Sequence, residues 1–151
     1  MKRRLLLGSA AALTAFVALP LLAEVSATEV HVFKSRACGC CGAWVRHMKS
    51  AGFAVKVTDV DDTTAARKRL GMPERFGSCH TATVEGYVIE GHVPAVEVKR
   101  LLESGTKAIG LAIPSMPIGS PGMEMGVRKD PFRVLLIDQA GAASVYASYP
   151  K

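Results

Sequence analysis

The chain is predicted to fold as an α/β domain in which a central mixed sheet is flanked by helices, and three features of the sequence carry that expectation. Apolar and polar residues alternate over 29–35 and again over 53–60, the period of a half-buried strand. Between them, over 43–52, Trp44, Val45, Met48 and Ala51 recur at helical spacing. Segments of the two kinds then alternate along the chain instead of grouping, which favours helices packed on a sheet over separate all-α and all-β layers.

In order, the chain opens with Met1-Lys2-Arg3-Arg4 and an apolar run over 5–23, and small residues close it at Val25-Ser26-Ala27. A basic start, an Ala-rich middle and a small-x-small ending describe a secretory signal peptide over 1–27, cut after Ala27. A retained membrane anchor is the alternative, since the run is nearly long enough to span. The pair Arg3-Arg4 leaves Sec and twin-arginine export both open. Residues 28–151 then form a single domain, a length served by one core.

The first strand, 29–35, places Val30 and Val32 on one face and His31 and Phe33 on the other. A cysteine-rich turn over 38–42 leads into the helix, where Met48 reads as core and His47 as exposed, and Gly52 supplies the stop. After the second strand, Asp61-Asp62-Thr63-Thr64 offers N-cap residues for a helix over 65–70, with Arg67-Lys68-Arg69 as a solvated face and Gly71-Met72-Pro73 as its end. A short helical turn at 73–76 precedes Gly77-Ser78-Cys79-His80. Strands over 81–85 and 87–92, joined at Glu85-Gly86, make a hairpin in which His92 is a strand-end residue. Pro94 starts a helix over 95–103 that Ser104-Gly105 closes. From 111 to 126 the chain is rich in Met, Pro and Gly, a loop by its breakers yet too apolar to be freely solvated, so it must cover something. A hairpin over 132–149 closes the domain. This order of strands and helices is that of a thioredoxin-like domain, in which the cysteine turn and the loop carrying Cys79-His80 meet.

The formal net charge of +6 shrinks when Lys2, Arg3, Arg4 and Glu24 leave with the signal peptide. No run of Lys/Arg interleaved with aromatic residues exists, so nucleic acid is not an expected partner. The chemistry lies in the four cysteines, three of them at Cys38, Cys40 and Cys41 and the fourth at Cys79. Thiolates are soft ligands that select Cu(I) or Zn(II), and they are also the nucleophiles of disulfide exchange. Two structural disulfides are the usual use of four cysteines in an exported chain, but bridges within 38–41 close loops too short to restrict the unfolded chain much. A pair from Cys79 to one member of the cluster stays open. At the start of a helix the unpaired N–H groups favour thiolate over thiol. The neighbours Cys40 and Cys41 do not easily face one tetrahedral centre, so sulfurs bridging more than one metal are expected.

Longer stretches add specificity. Cys38-Gly39-Cys40-Cys41-Gly42-Ala43-Trp44, Ser78-Cys79-His80-Thr81-Ala82, the segment from Gly86 to Pro94, and Met116-Pro117-Ile118-Gly119-Ser120-Pro121-Gly122-Met123-Glu124 together resemble the periplasmic CopG copper-resistance family. The resemblance spans 29–149. It implies a thioredoxin-like domain that holds copper, as Cu(I) and in a multinuclear thiolate site, through Cys38, Cys40, Cys41 and Cys79, contributing to copper resistance or copper redox handling in the periplasm of a Gram-negative bacterium. His80, Met116 and Met123 are further candidates as ligands or supports of ligands. Expected partners are copper ions and another periplasmic copper-handling protein, with the domain a monomer and no membrane anchor after cleavage. The ordinary thioredoxin pattern is departed from twice: a cysteine stands inside the CxxC, and Ser78-Cys79-His80 stands where a proline is usual. The alternatives are a thiol-disulfide oxidoreductase using Cys38 and Cys41, and a structural zinc or disulfide domain that binds through Trp44 and the Met-rich loop.

Overall fold

The structure, a computed structural model, describes residues 27–150; the expected signal peptide lies outside them except for Ala27. Strand β1 (Glu29–Lys34) leads into α1 (Gly39–Ser50), β2 (Ala54–Asp59) and α2 (Thr63–Arg69). A single 3-10 turn (Glu74–Phe76) precedes β3 (His80–Val84), β4 (Tyr87–Glu90) and α3 (Ala95–Ser104), and β5 (Gly110–Ala112), β6 (Phe132–Ile137) and β7 (Ala143–Tyr149) follow. The strands make one mixed seven-stranded sheet in the order β2-β1-β3-β4-β5-β6-β7. Pairing is parallel for β1/β2 and β4/β5 and antiparallel elsewhere. The mixed α/β architecture expected from the sequence is therefore the one observed.

Period-two alternation sends neighbouring side chains to opposite faces and so divides the core. On one face Val30, Val32, Ala82, Ile89 and Leu111 pack under α1 and α3 through Trp44, Met48, Val98 and Leu101. On the other, Val88, Ala112 and Ile137 meet Met72 and Phe76, just beyond α2. Burial of each large apolar side chain stabilises the fold by about 1.5–3 kcal/mol.

Four expectations need correction. Helix α1 begins at Gly39, not at 43, because Cys38 caps it: its Sγ accepts the Cys41 N–H at 3.3 Å. Cysteine is an unusual cap, and glycines at 39 and 42 hid the helical start from a propensity reading. The run at 111 starts with a strand, β5, too short to show a period. Arg67 does not belong to a solvated face; it is buried and paired with Glu90. Trp44 is fully buried, with its Nε1–H donating to the Val93 carbonyl at 2.8 Å, so it offers no contact surface.

Candidate metal centre

The first turn of α1 and the start of β3 bring the four cysteines together. The Sγ atoms of Cys38, Cys40, Cys41 and Cys79 all lie within 4.8 Å of one another. Two sulfurs bound to one metal at about 2.3 Å are no more than about 4.6 Å apart, so the cluster is close to the spacing that shared ligation requires. Cys38 and Cys41 are joined as a disulfide, with Cα atoms 5.4 Å apart, while Cys40 and Cys79 are free thiols. The free Cys40 Sγ stands 3.4 Å from Cys38 Sγ and 4.0 Å from Cys79 Sγ. A bridge across one helical turn restricts the unfolded chain little, so the Cys38–Cys41 bond contributes little as a staple.

Cys79 also faces two imidazoles. Its Sγ is 3.3 Å from His80 Nδ1 and 3.0 Å from His92 Nε2, and these three residues form a second group able to hold a metal. On His92 the opposite nitrogen, Nδ1, is 2.8 Å from the Pro121 carbonyl. A carbonyl only accepts, so Nδ1 carries the proton and Nε2 turns its lone pair to Cys79. Such an N–H to a backbone carbonyl is how metal-binding histidines are oriented. His80 is fully buried, its ring 4.5 Å from that of Trp44, and its Nε2 has no hydrogen-bond partner among the described residues.

Electrostatics keep the imidazoles neutral and Cys79 protonated. Burial, then the neighbouring His92 and Lys34, lowers the His80 pKa to about 3. Burial also lowers that of His92, against the opposing effects of the Pro121 carbonyl and Glu124. The Cys79 thiol is pushed up to about 12, by burial first and by Cys40 next. A thiolate buried there is costly unless a cation stands beside it. A soft cation supplies that charge, so the donor set of thiols, neutral imidazoles and one unpartnered buried nitrogen fits a metal such as copper.

The covering loop behaves as its apolar character required. Pro121-Gly122 lies on α1, so closely that a Cβ on Gly122 would come 2.7 Å from Trp44 N and 2.9 Å from Cys40 O. Met123, half-buried, follows directly. Met116 is 47% exposed and lines an open surface groove with Ile113, Pro117 and Phe132. His47 is half-buried, not exposed: its Nε2 accepts the Ala95 N–H at 3.0 Å and so caps α3, where Pro94 has no capping side chain. The residue that sequence reasoning undervalued is His92. Its position beside Gly91, past the end of β4, was the only local sign that it leaves the strand.

Residues 76–123 match the family model described as "Protein of unknown function, DUF411". No curated protein matches significantly. Two solved structures, described as "Copper resistance protein copG", Form 2 and Form 1, are each 42% identical to this chain. The first covers 82% of this chain and 99% of its own with a TM-score of 0.79; the second covers 83% and 99% with a TM-score of 0.78.

Proposed function

The chain belongs to the family of the copper resistance protein CopG, and from that premise we propose that it is a periplasmic copper-binding protein contributing to copper resistance. Cys38, Cys40, Cys41 and Cys79 supply thiolates, and His92 and His80 supply neutral nitrogens. One observation carries the reading: Cys79 belongs at once to the four-sulfur group and to the Cys79-His80-His92 group. A sulfur shared in this way is suited to bridging, so a site for more than one Cu(I) ion is the reading it supports best. Met123, beside the Gly122 contact, is the better placed of the two candidate thioethers. Residues 1–27 direct export and are removed, 28–151 act as a monomer, and another periplasmic copper-handling protein exchanges copper with the site.

Full use of the four sulfurs requires the Cys38–Cys41 bond to open. A donor dithiol supplies two electrons and two protons, becomes a disulfide itself, and leaves two thiols here. Elemental analysis after anaerobic copper loading of the reduced protein and dialysis tests the reading, with a free-thiol count on the metal-free form. More than one copper per chain, lost in Cys38→Ser and Cys79→Ser, supports it. No retained copper in the reduced wild type overturns it.

A second reading rests on the disulfide. Cys38 and Cys41 are already bonded at the start of α1, with the thiol of Cys40 3.4 Å from Cys38 Sγ. That arrangement suits a thiol-disulfide oxidoreductase in which Cys38 exchanges and Cys41 resolves. Catalytic reduction of a peptide disulfide by the metal-free, reduced protein, abolished in Cys38→Ser, would favour it.

A further inference from the structure

The loop that carries Cys79 is gripped by an ion pair that has no apolar reason to be where it is. Arg67 Nε lies 2.9 Å from Glu90 Oε1, and both side chains are buried. The same Oε1 accepts the Ser78 N–H at 2.6 Å, and Oε2 accepts the Thr81 hydroxyl at 2.6 Å. Arg67 Nη2 donates to the Ser78 carbonyl at 2.8 Å. Both backbone groups of the residue before Cys79 are thus held by one buried pair. The guanidinium lies against Gly77, where a Cβ would come 2.8 Å from Nη1 and 2.9 Å from Cζ. On the far side the Ser78 hydroxyl donates to the Ser115 carbonyl, and Ser115 N–H donates to the Gly77 carbonyl at 3.2 Å. Ser115 pays for this with a left-handed backbone, φ +65°.

A buried ion pair is a poor device for stability alone, because desolvating two charges offsets most of their attraction. It is a good device for fixing position, since it tolerates only one arrangement of donors and acceptors. We propose that the Arg67–Glu90 pair is a positioning element for the metal centre, setting the Ser78-Cys79 backbone so that the Cys79 sulfur stands between Cys40 and His92. Neither side chain is itself a ligand. The pair ties α2 and β4 to the loop before β3, so Cys79, the one cysteine of the site away from α1 and its N-cap, inherits its place from them. The inference rests on the copper-binding reading for its purpose but not for its geometry.

The test uses the full mature chain and three variants. Glu90→Asp keeps the charge but draws the carboxylate back from Ser78; Glu90→Gln keeps the length and an acceptor oxygen; Arg67→Met with Glu90→Leu replaces the pair by apolar groups that can fold. Cu(I) affinity is read by competition with a chromophoric chelator, and folding by thermal unfolding. The expected result is affinity about tenfold weaker or more in Glu90→Asp and in the double variant, with partial rescue in Glu90→Gln, at temperatures where all remain folded. A metal-free readout accompanies it on a Cys38→Ser/Cys41→Ser background. There diamide takes two electrons and two protons from Cys40 and Cys79, joining their sulfurs and becoming a hydrazine. That closure is expected to slow about tenfold without the clamp. Folded Glu90→Asp and double variants that bind copper and close the Cys40–Cys79 bond as the parent proteins do would overturn the proposal. If wild type retains no copper while the closure rates still differ, the copper reading falls and the positioning role stands.

Discussion

Cys79 Sγ and His92 Nε2 lie 3.0 Å apart across thirteen residues of sequence, and the proton that could blur the contact is fixed elsewhere, on Nδ1 facing the Pro121 carbonyl. His92 therefore presents a lone pair to the same point as the thiol. His92→Ala is expected to weaken Cu(I) binding by about 10- to 100-fold while leaving the far-ultraviolet circular dichroism unchanged. Chelator competition measures it. Wild-type affinity in this variant would remove His92 from the ligand set.

Oxidation state should set how much metal the chain holds. With Cys38–Cys41 bonded, only Cys40 and Cys79 are free thiols. Protein isolated without reductant is expected to titrate two thiols with a chromogenic disulfide under denaturing conditions, and reduced protein four. Copper retention should rise with the second pair. Equal copper content in the two states would separate the disulfide from metal binding.

A dependence on pH follows from His47. Its Nε2 accepts the Ala95 N–H, a bond that only the neutral ring can make, and burial holds its pKa below the usual histidine value against the raising effect of Glu124. In the unfolded chain the ring takes up a proton near its ordinary pKa of about 6.5, so the unfolded state binds more protons below that pH. The contribution of His47 is complete above that value and is lost as pH falls through the lower folded-state pKa. His47→Gln keeps an acceptor and removes the titration. Its melting temperature should fall less than that of wild type between about pH 7 and pH 5. Parallel profiles for the two proteins would show that His47 does not contribute.

The sequence exposed the parts whose signals are local. Period-two runs found β1 and β2, helical spacing found the body of α1, and the four cysteines named the centre. What escaped it was set by contacts between distant segments. Arg67 reads as solvated beside Lys68 and Arg69, and only the fold brings Glu90 beneath it. His92 reads as the end of a strand until the chain past Glu90 turns it toward Cys79. Cysteine as a helix cap has little precedent in propensity, so the start of α1 was placed four residues late. The Met/Pro/Gly-rich loop was legible as a cover, but which of its residues touches α1 was not.

That residue is Gly122, and it yields the sharpest test of the cover. Its φ of +86° belongs to the left-handed region, and a Cβ there would come 2.7 Å from Trp44 N and 2.9 Å from Cys40 O, both backbone atoms that cannot rotate away. Gly122→Ala must therefore strain the backbone, at about 1–2 kcal/mol, or lift the loop off α1. Lifting it moves the Pro121 carbonyl, and with it the anchor of His92 Nδ1. The expected result is a melting temperature several degrees lower together with a loss of Cu(I) affinity approaching that of His92→Ala. Combining the two substitutions should then cost little more affinity than either alone, because both act through one imidazole. Fully additive losses in the double variant would mean that the loop reaches the metal by another route, for which Met123, the residue after Gly122, is the candidate.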